Sequence, residues 1–397
     1  MNLRFNCVCA LMCASSAGSM GATLRVPQDY ATIQAAMDAA ASRDVIEVAA
    51  GTYQENLTNF REVTIRGASP LGSTVLKNAS FGNVAAVGGV DVTFERLEFR
   101  PLDSTSNNLQ PNAVYATSGM LTLRECRFRD FAKWNSIIRC SRGRIEDCEF
   151  INNGYRGGST LGAAVSCISG VTEINRCVFR GNKGNGGGVL GCDRATIRVS
   201  NSLFDKNQAN QGGVAWVVGT GKVEILNCTL VGNDAFNGSI ASIPGSDSIV
   251  LRNCIVWGNT GTGLFYKSTL PPASPVITYS VVQGGYIGEG NIDADPQFVD
   301  AANRDYRLKP TSPCIDAGNN GASTWIGDRD AALAPRWVDR VNTADTGVGP
   351  GPVIDMGAFE HQPQNCSADQ NQSGRVDVGD LFKFIDDWFA QLGQSCN

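Results

Sequence analysis

The chain has 397 residues and a formal net charge of −5, from 33 lysines and arginines against 38 aspartates and glutamates. This balance gives no reason to expect a nucleic acid or an acidic membrane surface as a partner. A hydrophobic content of 42% excludes a disordered chain. No apolar run after the N-terminus is long enough to span a bilayer.

Residues 1–22 have the features of a secretory signal peptide. Arg4 supplies a short basic region, residues 5–14 are mostly apolar, and small residues follow. We predict cleavage after Ala17 or near Gly21, and a mature protein that is secreted or displayed at the cell surface. The alternative is a frayed start of the mature chain.

The next stretch, residues 23–76, begins with a short edge strand. A helix of about ten residues is predicted from Thr32, because apolar side chains recur there at helical spacing. Those side chains are Ile33, Ala36, Met37 and Ala40. Such a helix would cap the open end of a stack, which otherwise exposes a sheet edge and the core.

One short pattern recurs from residue 121 to residue 285, about every 26 residues. Two apolar residues are followed by a Cys or Ser, then by an apolar residue, and usually by an Asn. We call the Cys or Ser positions pivots; they are Cys126, Cys148, Cys177, Ser202, Cys228, Cys254 and Ser280. A fixed period of this length indicates stacked units and not a globular core.

The parity of the pattern indicates how each unit is built. Side chains alternate between the two faces of a strand, so the two apolar residues before a pivot share one face. The pivot and the apolar residue two after it form a second such pair. The step between the two pairs is an odd number of residues, so the chain must bend there for both pairs to point inward. A third short strand precedes the pivot, at residues 136–140, 163–167, 187–192 and 212–217. We therefore predict an all-β fold, a parallel β-helix of about nine or ten coils.

Stacking at about 4.8 Å per coil would align equivalent side chains in ladders. The residues two after the pivots are Phe128, Phe150, Phe179, Phe204, Leu230, Val256 and Val282. A corner ladder is predicted for Asn153, Asn182, Asn207, Asn233 and Asn259, because Asn tolerates left-handed backbone geometry. An outward row alternates in sign and needs no active site to explain it: Arg144, Glu173, Arg198 and Glu224.

Eight cysteines lie in the coils, namely the five Cys pivots and Cys140, Cys167 and Cys192. A disulfide staple or a metal ladder is one interpretation. We favour small buried side chains that fill a tight row, because no C-x-x-C pair or histidine accompanies them.

The repeats resemble right-handed β-helix proteins of the pectin-lyase-like superfold. Phe179 to Asn182 followed by Gly186–Gly188, and the matching stretch from Phe204, are similar to polymorphic outer-membrane-protein repeats. The resemblance covers most of the chain and implies a right-handed solenoid over residues 23–290, with an N-terminal cap like that of the superfold. The superfold hosts lyases, hydrolases, esterases, epimerases, adhesins and inert scaffolds, so it does not imply one function.

Residues 291–365 leave the repeat and are similar to the C-terminal segment of many secreted bacterial β-helix proteins. We expect this segment to close the last coil. Its aspartates could form a calcium cluster: Asp293, Asp295, Asp316, Asp328 and Asp330. We favour the simpler interpretation that they hold turns through neighbouring backbone amides.

Residues 366–397 form a separate, EF-hand-like module. Its loop has oxygen-bearing residues at the spacing of a calcium site, with Gly374 at the sharp turn. The predicted ligands are Asp369, Asn371, Ser373, Arg375 through its carbonyl, Asp377 and Asp380. An amphipathic helix follows the loop.

This module resembles one dockerin repeat, in the single-loop form that ends many secreted planctomycete-type bacterial proteins. The resemblance implies calcium as cofactor and a role in attachment, sorting or assembly, with a cohesin-like protein as a possible partner. Ser373 stands where dockerins carry an acidic residue or Asn, and one loop stands where they have two. Cys366 and Cys396 bracket the module and are its only cysteines, so we predict a disulfide between them.

A calcium-dependent polysaccharide lyase, or another pectin-lyase-like carbohydrate-active enzyme, is the alternative function. Its weak candidates lie in a charged stretch that interrupts the regular spacing: Asp130, Lys133, Arg139, Arg142 and Asp147. His361 is the only histidine and is predicted to be exposed. Its isolation excludes a Ser-His-Asp triad and a His-ligated zinc.

We expect instead a non-catalytic protein that binds polysaccharide or a cell-surface protein. Trp257 is level with Arg129, Arg180 and Asp205 in the repeat, so it is predicted to point outward, where it could stack on a sugar ring. Trp216 is predicted to belong to the core. An acid cluster with a base in one groove would favour the enzyme, whereas a flat aromatic or Asn-rich face would favour binding.

Overall fold

The computed structural model describes residues 21–362, except 60, 81, 103–111, 132–135, 155–161, 246, 268–274, 323–326 and 341–342, together with residues 381–383. The predicted calcium loop, the cysteines on either side of the module, Lys133 and almost all of the predicted signal peptide lie outside the described residues. Residues 381–383, where the module's helix is predicted to begin, are helical.

The described chain folds as a parallel β-helix whose coils contribute strands to the same few strips. One coil shows the order: Ala215–Val218, Lys222–Leu226, Thr229–Val231 and Asp234–Asn237. We call the strips that contain these four strands A, B, C and D. Every strand pair within the strips is parallel, and equivalent residues of successive coils lie in register, such as Ile225 beside Leu251.

The strands of the strips are as follows. Strip A contains Leu57–Asn59, Ala85–Val87, the start of Val114–Arg124, the start of Ile138–Glu146, Val165–Cys167, Leu190–Asp193, Ala215–Val218, Ala241–Ile243 and Phe265–Lys267. Strip B contains Thr23–Val26, Asp44–Val48, Val63–Gly67, Val92–Glu95, the ends of Val114–Arg124 and Ile138–Glu146, Val171–Asn175, Thr196–Ser200, Lys222–Leu226, Ser248–Arg252 and Val276–Thr278. The two long strands run through both strips and make them one 18-stranded sheet.

Strip C is a separate 10-stranded sheet with one strand per coil. It contains Gly51–Gln54, Thr74–Lys77, Glu98–Arg100, Arg127–Arg129, Glu149–Ile151, Val178–Arg180, Leu203–Asp205, Thr229–Val231, Ile255–Trp257 and Val281–Val282. Strip D has three strands, Gln208–Gln211, Asp234–Asn237 and Thr260–Gly261. The prediction of three short strands per repeat is therefore confirmed, and the third predicted strand is the one in strip A.

The bend predicted before each pivot is a single left-handed residue. Positive φ angles occur directly before the pivots, at Glu125, Asp147, Arg176, Asn201, Asn227, Asn253 and Tyr279. One such residue turns the chain from strip B to strip C. Because of this turn, the apolar pair before the pivot and the pair that begins with the pivot both point inward.

The predicted ladders form inside the solenoid. The rings of Phe128 and Phe150 stack with centroids 4.9 Å apart and planes 8° apart, and the stack continues through Phe179 and Phe204. The pivot cysteines are buried and unbridged, as are Cys140, Cys167 and Cys192. This agrees with the interpretation of the coil cysteines as small core side chains.

The asparagine ladder is also present, but its backbone differs from the expectation. Asn182 donates its side-chain N–H to Asn207 Oδ1 at 3.0 Å, and Asn207 donates in the same way to Asn233 at 2.9 Å. The left-handed residue is the one before each Asn, for example Lys206 with φ of 53°. The Asn is selected by its inward side-chain amide and not by left-handed geometry.

The predicted N-terminal helix is present but shorter, spanning Ile33–Ala39. The hydroxyl of Thr32 accepts a hydrogen bond from Ala35 N–H, which caps the first turn. The Glu55 carboxylate accepts from the N–H groups of Ile33 and Gln34, at 2.9 and 2.8 Å. This satisfies two donors that have no partner inside the helix. Ile33, Ala36 and Met37 form its buried face.

The segment after residue 290 does more than close the last coil. Ile292 pairs with Val281 in a parallel bridge, which extends the stack slightly. The chain then folds back over the outer face of strip C, through the antiparallel pair Phe298–Asp300 and Asp305–Leu308 and the short 3₁₀-helix Asn320–Ala322.

This segment covers strip C with an apolar cluster of its own. Leu203, Ile255 and Val281 follow their pivots directly and point outward, yet they are buried against the segment. The segment's side of the cluster consists of Phe298, Tyr306, Leu308, Cys314, Ile315, Ala317 and Met356. Polar contacts fix its position, since Tyr306 donates its hydroxyl to buried Asp205 at 2.8 Å and Ala358 N–H donates to Thr229 Oγ1 at 2.9 Å.

Candidate functional site

The structure does not gather the predicted acid and base candidates at one place. Asp130 follows strip C and pairs with Arg129 at 3.2 Å. Asp147 lies at the bend between strips B and C, where Arg176 donates to both of its oxygens at 2.7 and 2.9 Å. Arg139 lies in strip A. Of the described candidates, the two acids are therefore held in ion pairs and are not arranged around a base.

The remaining candidate, Arg142, lies in the long strand Ile138–Glu146 and is exposed. It forms part of the junction between strips A and B, beside Gly170 of the next coil. The outward row predicted from sign alternation is present in the next coils, where Arg198 pairs with Glu224 at 3.0 Å and Glu173 at 3.7 Å. Charge in this region therefore stabilises the stacking of coils.

The tryptophans differ from the expectation. Trp257 is half-buried and packs against the apolar cluster beneath the C-terminal segment, so that segment limits its availability as a stacking platform. Trp216 is not in the core; it points outward from strip A, between the buried Ala215 and Val217, and is half-buried. It lies in a row with Gly191 and Ser242.

A polar face follows the asparagine ladder on the strip D side. In each coil the residues one and three after the ladder Asn point outward, because the chain is extended and side chains alternate. The first row consists of Lys183, Gln208, Asp234 and Thr260, and the second of Asn185, Asn210, Phe236 and Thr262. We call these eight residues the amide face.

The amide face contains a groove of about 500 Å³, lined by Lys183, Gly184, Asn185, Gln208, Ala209, Asn210 and Asp234. Its floor is the backbone of strip D, in which Gln208 pairs with Asp234 and Ala209 with Ala235. Phe236 stands beside the groove with 72% of its surface exposed. A single exposed ring is normal on a protein surface, so its interest lies in its position next to Asn210 of the groove.

Side-chain contacts along the rows hold the groove in shape. Asn210 donates to Asn185 Oδ1 at 2.5 Å, and Thr260 donates to Asp234 Oδ1 at 2.6 Å. Because these partners belong to successive coils, the donors and acceptors repeat along the solenoid axis at the coil spacing.

The chemistry of the groove favours an uncharged, hydroxyl-rich ligand. Side-chain amides both donate and accept, as sugar hydroxyls do, and an exposed ring can pack against the apolar face of a sugar. Of the described residues that line the groove, one is acidic (Asp234) and one is basic (Lys183). A flat aromatic or Asn-rich face favours a binding function, whereas an acid cluster with a base would favour an enzyme. The residues of this groove fit the first description.

Sequence reasoning missed the amide face, although its signal is present. The stretches NKGN from Asn182 and NQANQ from Asn207 carry polar side chains one and three positions after the ladder Asn, and NDAFN from Asn233 carries Asp234 and Phe236 there. This period of two indicates a short strand with one solvated face.

Most aspartates of the C-terminal segment hold turns, as favoured. Asp293 accepts from Gly284 N–H at 3.0 Å and Asp295 from Gln297 N–H at 2.8 Å. Asp330 accepts from Ala332, Ala334 and Glu360 N–H. His361, predicted to be exposed, is half-buried, and burial lowers its pKa.

Among the described residues, no helix is long and apolar enough to cross a membrane. A family model described as "Right handed beta helix region" matches residues 53–230 and 112–270, which together span more than half of the chain. No curated protein matches.

Several solved structures match parts of this chain at low identity. A mutant pectin methylesterase in complex with a hexasaccharide is 12% identical, with a TM-score of 0.40 over 74% of this chain and 99% of that one. A pectate lyase is 14% identical, with a TM-score of 0.37 over 87% of this chain and 98% of that one. An alginate lyase mutant is 15% identical, with a TM-score of 0.28 over 74% of this chain and 56% of that one.

Proposed function

This chain belongs to the right-handed β-helix family, and from that premise we propose that it binds an uncharged polysaccharide along the amide face without cleaving it. The observation that carries the proposal is the groove between Lys183 and Asp234, with its repeated amides and the exposed ring of Phe236. The protein acts outside the cell, either secreted or at the cell surface.

The geometry of the amide face suits a polymer better than a small molecule. Its side chains lie in two parallel rows along the axis, so a long ligand could contact side chains of several successive coils. The groove is open and polar, unlike the enclosed apolar pockets that bind most small ligands. A cell-surface protein as ligand is the competing outcome.

The proposed absence of catalysis rests on the positions of the candidate acids. Asp130 and Asp147 are engaged by Arg129 and Arg176. An acid–base pair converging on a bound substrate is needed for proton transfer in the transition state. The calcium-dependent polysaccharide lyase stays the alternative to be tested.

The tail module is proposed to attach or sort the protein, or to bind a cohesin-like partner. The support is the spacing of the predicted calcium ligands in the sequence, which are Asp369, Asn371, Ser373, Arg375, Asp377 and Asp380. The predicted disulfide between Cys366 and Cys396 would close the module. Asp377→Asn together with Asp380→Asn should remove one bound calcium ion per chain, as measured by calorimetric titration. An unchanged stoichiometry would rule out the tail loop as a calcium site.

The test of the main proposal is a panel of neutral and acidic polysaccharides, each with calcium and with chelator. Retention of the purified protein in gels that contain each polymer measures binding, and chain length after incubation measures cleavage. We expect retention by a neutral polymer and no shortening of any polymer. Calcium-dependent shortening would contradict the non-catalytic function, and absence of retention throughout would contradict polysaccharide binding.

A further inference from the structure

The C-terminal segment brings together three aspartates that are distant in sequence. Side-chain oxygens of Asp316, Asp339 and Asp345 all lie within 4.8 Å of one another. Asp316 is fully buried, and the other two are exposed. The backbone fixes this arrangement, because Thr346 and Gly347 N–H both donate to the Asp316 carbonyl at 3.0 Å.

The carboxylate of Asp316 is buried, and neither of its oxygens has a short hydrogen bond. The backbone N–H and the charge of Arg340 are the nearby groups that favour its charged form. The side chains of the segment's arginines make their hydrogen bonds and ion pairs with other groups. Arg304 pairs with Asp205, Arg307 with Asp305 and Arg336 with Glu360, while Arg329 donates to the carbonyl of Leu333 and Arg340 to that of Pro310. Most buried polar groups in proteins have a partner, so this carboxylate requires an explanation.

The turn function that explains the other aspartates does not explain Asp316. Asp293, Asp295 and Asp330 each accept backbone hydrogen bonds through their side chains. The backbone of Asp316 holds the local network, since its N–H donates to Asp355 Oδ1 at 2.8 Å. Its side chain points instead toward two further negative charges.

Three carboxylates in this arrangement repel one another unless their charge is compensated. Arg340 offsets part of this repulsion through its backbone N–H and its charge, but three carboxylates face one arginine. A bound cation is the further compensation available to a group of oxygen ligands.

We propose that Asp316, Asp339 and Asp345 bind a calcium ion. Calcium takes oxygen ligands at about 2.3–2.6 Å, so ligands on opposite sides of the ion lie about 5 Å apart, and the span of this cluster fits such a shell. The calcium shell is flexible and holds six to eight oxygens, so water fills the positions on the exposed side. The ion ties the chain that carries Asp339 and Asp345 to the buried part of the segment that covers strip C.

The experiment uses the full chain with Asp377→Asn and Asp380→Asn in the tail, so that the predicted tail loop does not contribute. In this parent protein, calorimetric titration with calcium chloride should give one ion per chain. The melting temperature should rise by several degrees in calcium relative to chelator, because a ligand that binds only the folded state stabilises it.

Adding Asp339→Asn and Asp345→Asn should abolish both the binding and the shift, and these exposed residues can change without disturbing the core. Asp328→Asn is the matched control, an exposed aspartate of the same segment outside the cluster, and it should retain both. A parent that binds no calcium, or a cluster variant that binds as the parent does, would overturn the site.

A second variant tests the buried carboxylate itself. Asp316→Asn should lose the response to calcium, yet melt in chelator at a temperature at least as high as the parent, because an uncompensated charge has been removed. A clearly lower melting temperature in chelator would mean that the carboxylate already has a partner, which contradicts the proposal.

Discussion

At the scale of single residues, the corners of the solenoid depend on buried side-chain amides. Asn207 donates to the Phe179 carbonyl at 3.0 Å and to Asn233, and its Oδ1 accepts from both the backbone and the side chain of Asn182. The amide thus satisfies backbone groups that the bend removes from the strands. The five-residue spacing predicted this ladder, but not which residue is left-handed, because left-handed geometry is tolerated by several residue types.

We predict that Asn207→Ala lowers the free energy of unfolding by about 1–3 kcal/mol for each buried partner left unpaired. Asn210→Ala, three residues on and exposed, is the control and should change stability little. Denaturant unfolding of the two variants and the wild type measures the difference. Equal stability of all three would show that water or a backbone shift replaces the ladder.

The coil cysteines make a second prediction at this scale. Burial raises the pKa of Cys254 to about 12, and burial likewise keeps Cys148 and Cys228 protonated well above the ordinary thiol range. Since the thiolate is the reactive form, these thiols should not react with a thiol reagent in the native protein near pH 8. They should all react in denaturant. Fast labelling of these coil cysteines in the folded protein, or a coil cysteine that stays unlabelled in denaturant, would contradict this.

At the scale of elements, the C-terminal segment is the part that the sequence pattern did not locate. The repeat specifies which residues point inward and does not specify what covers the outward positions. Yet the outward row after the pivots changes from Arg127 and Glu149 to Leu203, Ile255 and Val281. That change from charged to apolar indicates a covered face, and it is readable once the strip register is known.

The segment also has a buried polar anchor. The Arg336 guanidinium is fully buried, pairs with Glu360 at 3.3 Å and donates to Asn201 Oδ1 at 2.9 Å. Asn201 is one of the left-handed residues before the pivots, so this arginine links the segment directly to a corner of the coils.

We expect Ile255→Arg to release the segment from strip C, because it places an unpaired charge in the apolar cluster. The free energy that holds the segment against strip C should fall by about 3–5 kcal/mol. Limited proteolysis should then cut between residues 291 and 362 faster than in the wild type, while the coils stay resistant. The control variant Val276→Arg changes an exposed residue of strip B, and the protease should cut it at the same rate as the wild type. Equal cutting of both variants would mean that the cluster does not hold the segment.

At the scale of the whole molecule, the architecture was predictable and the site was not. Stacked coils require the same inward residues in each repeat, so the Phe, Cys and Asn ladders are visible in the sequence and determine the fold. Outward residues do not have to match between coils. Lys183, Asn185, Asp234 and Phe236 occupy fixed positions after the ladder Asn, but their residue types differ between coils, so the pattern indicates a solvated face and not what that face binds.

The family contributes the scaffold, while the ligand is determined by the side chains that this chain carries on it. The amide face and the acidic cluster at Asp316 lie on different parts of the molecule, the first on strip D and the second in the C-terminal segment. A polymer could therefore bind to the coils whether or not calcium is bound in the segment.

The most direct test is the affinity of the retained polymer for Asn210→Ala combined with Phe236→Ala, measured beside the wild type. Loss of ring burial and of the amide should weaken binding about tenfold or more. Ile287→Ala, which removes an isolated side chain that is 98% exposed away from the amide face, should bind as the wild type does. A tenfold loss confined to the amide-face variant, with the polymer unshortened in every sample, is the result that our account predicts. Unchanged affinity in that variant, or shortening of the polymer by the wild type, would contradict it.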